Sequence, residues 1–153
     1  MFNPHCPDAV AHLMGGNDAP ELRGVAKFYQ KPNGVLISVH VRGLPDRDGS
    51  GFFAFHIHEG SGCGGENFSE TGSHYNPLGE PHPNHAGDLP PLLSCRGEAF
   101  ASFMAGRFRL KDVIGRTLVI HGGPDDFHTQ PAGNAGTKIA CGVIRSTRCA
   151  NCR

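Results

Sequence analysis

The chain has 153 residues, the size of one domain with its own core. Its 14 basic and 14 acidic side chains cancel, so no global field marks out a nucleic-acid or membrane partner, and any attraction of a charged substrate must be local. Glycine (22) and proline (12) are abundant and apolar runs are short, which favours turns and short strands over helices and excludes the roughly 20-residue apolar span of a membrane helix.

The opening residues, MFNPHCPDAVAHLMGG, carry neither a basic n-region nor an apolar h-region. The chain therefore reads as cytoplasmic as written, with a periplasmic or extracellular mature form left open. Residues 22–30 (LRGVAKFYQ) and 34–41 (GVLISVHV) read as two strands joined by a Lys-Pro-Asn-Gly turn, since Asn-Gly between alternating residues is a strong hairpin signal. Residues 51–59 (GFFAFHIHE) form a third alternating run. Residues 60–93 are rich in Gly, Pro, Asn and His and show no period; an irregular stretch of that length inside a domain is usually functional. Alternation returns over 98–108 (EAFASFMAGRF), and 117–121 (TLVIH) is a short apolar strand. A second irregular stretch, 122–137, precedes a strand over 138–145 (KIACGVIR). No repeat or boundary divides the chain, so residues 1–153 are expected to form one domain, with 1–20 and 146–153 as peripheral tails. Short strands at regular spacing with turn signals imply an all-β sandwich or barrel.

Histidine carries the chemistry. In FAFHIHE, Phe53, Phe55 and Ile57 share one strand face, and His56 and His58 share the other. The apolar side enters the core, which aims both imidazoles the opposite way, near enough to clasp one ion. His121 ends a separate apolar strand, where a third imidazole is held rigidly. The first irregular stretch supplies His74, His82, His85 and Asp88. Three nitrogens and one oxygen suit a closed tetrahedral zinc site, which would also pin the loop and so contribute to folding. Imidazole serves copper and zinc alike, and seven ligand-type residues exceed the needs of one four-coordinate ion, so a two-metal site is expected. His5, His12, His40 and His128 are read as ordinary core or surface histidines.

Six cysteines complete the inventory. Thiols are the default in the cytosol. Cys149 and Cys152 form a CxxC near the C-terminus, read as incidental tail thiols, with a redox or metal-delivery role as the alternative. Cys6 and Cys95 supply no second pair at zinc-finger spacing. Cys95 follows LPPLLS and is expected to be a buried small hydrophobe; nothing supports its pairing with Cys6.

The strings GFFAFHIHE, GSHYNP, HAGDLP, VIGRTLVIHGGPDD and GNAGTKIACGVI, in that order, resemble the copper/zinc superoxide dismutase family, and the spacing from His58 to Cys63 and on to His74 is similar to its bacterial branch. The resemblance implies a flattened Greek-key β-barrel of about eight antiparallel strands with the metals outside it between two long functional loops. His56, His58, His74 and His121 would bind copper; His74, His82, His85 and Asp88 would bind zinc; His74 would bridge both as an imidazolate. Asp125 matches the carboxylate that links a copper-binding to a zinc-binding histidine, a role outer acceptors often play in fixing ligand tautomers. Cys63 and Cys141 would form a disulfide anchoring the first loop to the last strand.

Three features depart from the family pattern. His82 and His85 are three residues apart where relatives have a longer span. Lys138 stands where the substrate-guiding arginine is expected; it keeps the charge without the planar fork, and a small diatomic anion needs attraction more than bidentate recognition. The 122–137 loop is short and lacks a charged run.

The implied activity is dismutation of superoxide to dioxygen and hydrogen peroxide, with His74 as proton donor and Lys138 attracting the anion. The alternatives are a non-catalytic copper/zinc-binding protein for metal buffering or delivery, and an inert sandwich whose loop is stapled by zinc. The full set of four copper-type ligands favours the enzyme. Relatives occur as monomers and dimers, which is compatible with a homodimer, and the sequence does not indicate what delivers copper.

Overall fold

The computed structural model describes residues 6–45 and 51–147. His5, Cys149 and Cys152 lie outside them. The strands are β1 (Ala9–Gly15), β2 (Arg23–Lys31), β3 (Gly34–Arg42), β4 (Phe52–Phe53), β5 (Phe55–His58), β6 (Leu92–Leu93), β7 (Glu98–Ala105), β8 (Thr117–His121), β9 (Lys138–Val143) and β10 (Arg145–Ser146). A short 3-10 segment covers Glu66–Thr71, and a single helical turn, α1, covers Leu110–Val113.

All strand pairs are antiparallel, in the order β5-β8-β9-β1-β2-β3-β7, with β10 also pairing β1. β1, β2 and β3 form a meander. The chain then crosses to the far edge at β5, returns to β7 beside β3, and crosses again to β8, which is Greek-key connectivity. β4 adjoins β5 in the chain, β6 leads into β7, and β4 pairs with β6, so this short ribbon links the two sheet edges. The expected all-β barrel is the observed fold.

Period-two patterning explains the core. Val35, Ile37, Val39 and Val41 of β3, Ala26 and Phe28 of β2, Phe55 and Ile57 of β5, and Leu118 and Ile120 of β8 are buried in one cluster. Removing such side chains from water is the main favourable term in the fold.

One expectation is corrected here. Residues 9–15 are not part of a tail: β1 lies inside the sheet, hydrogen-bonded along its length to β2 and at Met14–Gly15 to β9. Ala9, Ala11 and Leu13 point into the core while His12 and Met14 point out. The Lys-Pro-Asn-Gly turn is the observed hairpin turn: Lys31 pairs directly with Gly34, with Pro32 and Asn33 between them. Gly34 is required: it has φ +153°, and a Cβ there would sit 2.5 Å from the Ala105 carbonyl oxygen.

Candidate metal centre

β5 is an edge strand, and the first irregular loop covers its open side. Ile57 N–H donates to Gly87 O at 2.8 Å, Tyr75 N–H donates to Ile57 O at 2.8 Å, and Glu59 N–H donates to Ser73 O at 2.9 Å. The first two of these bonds use the backbone of Ile57, whose side chain faces the core. Together the three bonds bring His74 opposite His58 and Asp88 opposite His56. The loop therefore satisfies a sheet edge that water or another strand would otherwise meet, and its ligand residues are delivered by that pairing.

On the other flank β8 pairs with β5 so that Phe55 faces Ile120 and Ile57 faces Leu118. Alternation then puts His121 on the same side as His56 and His58. A register shift between Ile120 and His121 marks a β-bulge at that point, a common device for aiming a site residue.

Seven side chains converge in two groups. His56, His58, His74 and His121 each offer a ligand atom within 4.8 Å of the others, as do His74, His82, His85 and Asp88. His74 belongs to both. Its Nδ1 lies 2.8 Å from Asp88 Oδ1 and 3.3 Å from His85 Nδ1, while its Nε2 is buried with no hydrogen-bond partner. His5 lies outside the described residues, and His12, His40 and His128 are in neither group. The short span does not separate His82 from His85: their rings are 5.5 Å apart between centroids, and both Nδ1 atoms lie near Asp88 Oδ2, at 3.0 and 3.3 Å. The His82 Nδ1 approach is out of line for a hydrogen bond, so that nitrogen too has no partner.

The outward nitrogens are anchored. Asp125 accepts from His56 Nε2 through Oδ2 and from His82 Nε2 through Oδ1, both at 2.8 Å. His58 Nδ1 donates to Gly72 O at 2.9 Å, and His121 Nδ1 to Gly136 O at 3.2 Å. Each anchor commits one ring proton and leaves the other nitrogen as a bare lone pair turned inward. The Nε2 atoms of His58 and His121 consequently face each other at 3.2 Å, and His56 Nδ1 is buried without a partner. Lone pairs in that arrangement repel, and a cation between them relieves the repulsion. The donor set fits a nitrogen-rich copper site beside an N₃O zinc site.

Electrostatics agree with ligands kept neutral. Burial pushes the His58 imidazolium down to about 2 and the His121 imidazolium down to about 3. Burial likewise lowers His56 and His85. For Asp88 and Asp125, burial alone would raise the pKa, but donation from His74 to Asp88, and from His56 and His82 to Asp125, outweighs it and holds both carboxylates below their ordinary range.

The structure forms the Cys63–Cys141 disulfide, which ties the first loop to β9. Cys95 is corrected: its thiol is exposed rather than buried, at the turn where it pairs backbone to backbone with Glu98, and it is not joined to Cys6. Lys138, at the start of β9, donates to Thr71 Oγ1 at 2.7 Å and Gly72 O at 3.0 Å. Gly72 O thus serves Lys138 and His58 together. The anchoring carbonyls of Gly72 and Gly136 went unforeseen, because every residue carries a carbonyl and none signals its use.

The copper/zinc superoxide dismutase (SODC) family model matches residues 22–144. The chain belongs to the copper/zinc superoxide dismutase family. It is 38% identical to superoxide dismutase (Cu-Zn) 2 of Aquifex aeolicus, covering 90% of this chain and 88% of that one. It is 34% identical to the superoxide dismutase (Cu-Zn) of Caulobacter vibrioides, covering 90% and 84%. Among solved structures, the Cu/Zn superoxide dismutase from Brucella abortus superposes with a TM-score of 0.76 at 26% identity, over 90% of this chain and 99% of that one. The protein is an oxidoreductase that converts superoxide to dioxygen and hydrogen peroxide with copper and zinc as cofactors. Among the described residues, no helix of this dismutase is long and apolar enough to cross a membrane.

Proposed function

We propose that His56, His58, His74 and His121 hold the copper of this dismutase, that His74, His82, His85 and Asp88 hold the zinc, and that His74 is shared between them. The observation that carries the assignment is the division of His74: Nδ1 sits among Asp88 and His85, and Nε2 is left buried and unpartnered. When bound, copper supplies the one-electron redox chemistry, and zinc, which has none, supplies a fixed charge.

The protein's own contribution is placement and proton supply. Asp125 holds the His56 and His82 rings with Nδ1 inward, so both sites share one second anchor. Gly72 and Gly136 do the same for His58 and His121 with Nε2 inward. His74 Nε2 has no competing acceptor, so it is the atom that takes up and gives back the proton bound for reduced superoxide. Lys138 adds a positive charge beside the copper-type group, close enough through Gly72 O to His58 to attract the small anion. We further propose that the chain is a single domain, since one hydrophobic cluster draws on strands from Ala9 to Ile144.

The disulfide bears on location. Disulfides persist in oxidising compartments and are uncommon in the cytosol, so Cys63–Cys141 favours an exported form; cell fractionation tests this directly.

The deciding experiment is elemental analysis of purified protein coupled to a superoxide-consumption assay on the same sample. Copper and zinc near one each, with turnover well above free-copper controls and lost in His121→Ala, is the expected result. Metal retention without turnover would instead support the buffering alternative.

A further inference from the structure

The segment that joins the zinc-type ligands His82 and His85 is very short. Only Pro83 and Asn84 separate His82 from His85, too few to supply every backbone hydrogen bond from within. Two side chains from elsewhere in the chain supply the rest. Gln130, in the second irregular loop, pairs with the backbone of His82 on both sides: its Oε1 accepts from His82 N–H at 2.9 Å and its Nε2 donates to His82 O at 2.8 Å. The same Nε2 donates to His128 O at 3.1 Å, which fixes the amide orientation. Arg107, just beyond β7, donates through one Nη1 to Pro83 O at 2.6 Å and to His85 O at 3.1 Å. The remaining bonds are internal: Asn84 N–H donates to Pro81 O at 2.8 Å, His85 N–H to Asp88 Oδ2 at 3.0 Å, and Asp88 N–H to His85 O, which Arg107 also serves, at 3.2 Å.

We propose that Gln130 and Arg107 are positioning residues for zinc, forming an external clamp that holds the backbone of His82 and His85 in ligand geometry in place of a longer connecting loop. This rests on the ligand assignment above. Neither residue touches a ligand atom. Each acts on the main chain of a ligand, so each controls where the imidazole sits rather than its basicity. The clamp also joins three separate parts of the chain, because Gln130 ties the zinc segment to the loop that carries Asp125 and Gly136. A charge-assisted donor shared by two carbonyls, and a two-point amide pairing, are the kinds of contact that set ligand orientation in metal sites.

The test compares zinc-loaded wild type, Gln130→Ala, Arg107→Ala and the double variant, each copper-loaded at the other group. Two readouts are used: the rate of zinc loss to a competing chelator, and the visible d–d spectrum after cobalt(II) replaces zinc. Each single variant is expected to lose zinc about tenfold faster, within the range seen when outer partners of ligands are removed, and to show an altered cobalt spectrum with an unchanged copper EPR signal. Arg107→Lys should recover part of the loss, since an ammonium still donates to a carbonyl. Should Gln130→Ala not fold, Gln130→Glu carries the test, as it keeps an acceptor for His82 N–H and loses the donor to His82 O. Wild-type release rates and spectra in folded variants would overturn the clamp. A His85→Ala arm separates the two claims: if His85→Ala loses zinc while the clamp variants do not, the clamp alone fails; if His85→Ala binds zinc like wild type, the ligand assignment fails and the clamp with it.

Discussion

Replacing Asp125 with asparagine should damage the copper group far more than the zinc group, although the aspartate touches one histidine of each. The asymmetry comes from counting donors. Asp125 Oδ1 accepts two protons, from His82 Nε2 and from the Phe127 amide, both at 2.8 Å, whereas Oδ2 accepts one, from His56 Nε2 at 2.8 Å. The side chain is 1% exposed, so water cannot substitute for a lost acceptor. An asparagine has one oxygen and one NH₂. With the oxygen in the Oδ1 position two donors stay satisfied, and the NH₂ faces His56 alone; the reverse placement sets the NH₂ against two donors. The first arrangement wins. His56 must then accept at Nε2, which moves its proton to Nδ1 and turns a bare lone pair into an N–H pointing at the metal. Losing an outer partner of a ligand typically costs about 10–100-fold in metal affinity, or about 1.4–2.8 kcal/mol. Copper affinity, measured by chelator competition in Asp125→Asn, should fall by that amount, while zinc release stays close to wild type. Zinc loosened as much as copper, or neither affected, would refute the tautomer reasoning.

Further outcomes follow from the same geometry. Unfolded, histidine takes a proton near pH 6.5, but burial delays this to about 3 for His121 and about 2 for His58. Between those values the unfolded chain binds more protons, so the metal-free, disulfide-intact protein should be most stable above about pH 6.5 and lose stability steadily as pH falls, with depressed Asp88 and Asp125 adding loss in the same direction below about 3.8. Thermal midpoints from pH 8 to 4 read this, and a midpoint that rises on acidification contradicts it. Reducing Cys63–Cys141, which closes a separation of 78 residues, should destabilise the protein by up to about 4 kcal/mol in denaturant titrations; an unchanged midpoint argues that the loop is held by its backbone pairing alone. Lys138→Ala should lower kcat/KM about tenfold and flatten its ionic-strength dependence, with Lys138→Arg restoring both; an undiminished salt effect in Lys138→Ala would remove Lys138 from substrate attraction.

The parts of the centre that were legible in the sequence are those fixed by periodicity. Phe55-His56-Ile57-His58 can be read because a strand alternates its faces, and core burial of Phe55 and Ile57 leaves the imidazoles only one side to occupy. β1 was obscured because its inward positions are mainly alanine, a weak strand former, and its outward side carries Val10 and Met14, which blurs the apolar contrast. Cys95 breaks expectation because β6 ends at Leu93 and the chain turns at Arg96-Gly97, so parity no longer tells inside from outside there. The ligands in the first loop were visible as residue types, but how an irregular segment could hold them was not. The answer lies in backbone bonds from the loop to Ile57 and Glu59 of the edge strand's run, and in side chains such as Gln130 whose partners are main-chain atoms. Main-chain acceptors have no sequence signature, so that layer of the site is read only in three dimensions.

The central claim is that one imidazole, His74, is shared by two different cations. Anomalous-difference maps collected at the copper and zinc absorption edges from one crystal of fully loaded protein test it directly. The expected result is a copper peak within about 2.1 Å of His74 Nε2 and a separate zinc peak within about 2.1 Å of His74 Nδ1. Either metal peak lying beyond coordination distance of the His74 ring would contradict the account.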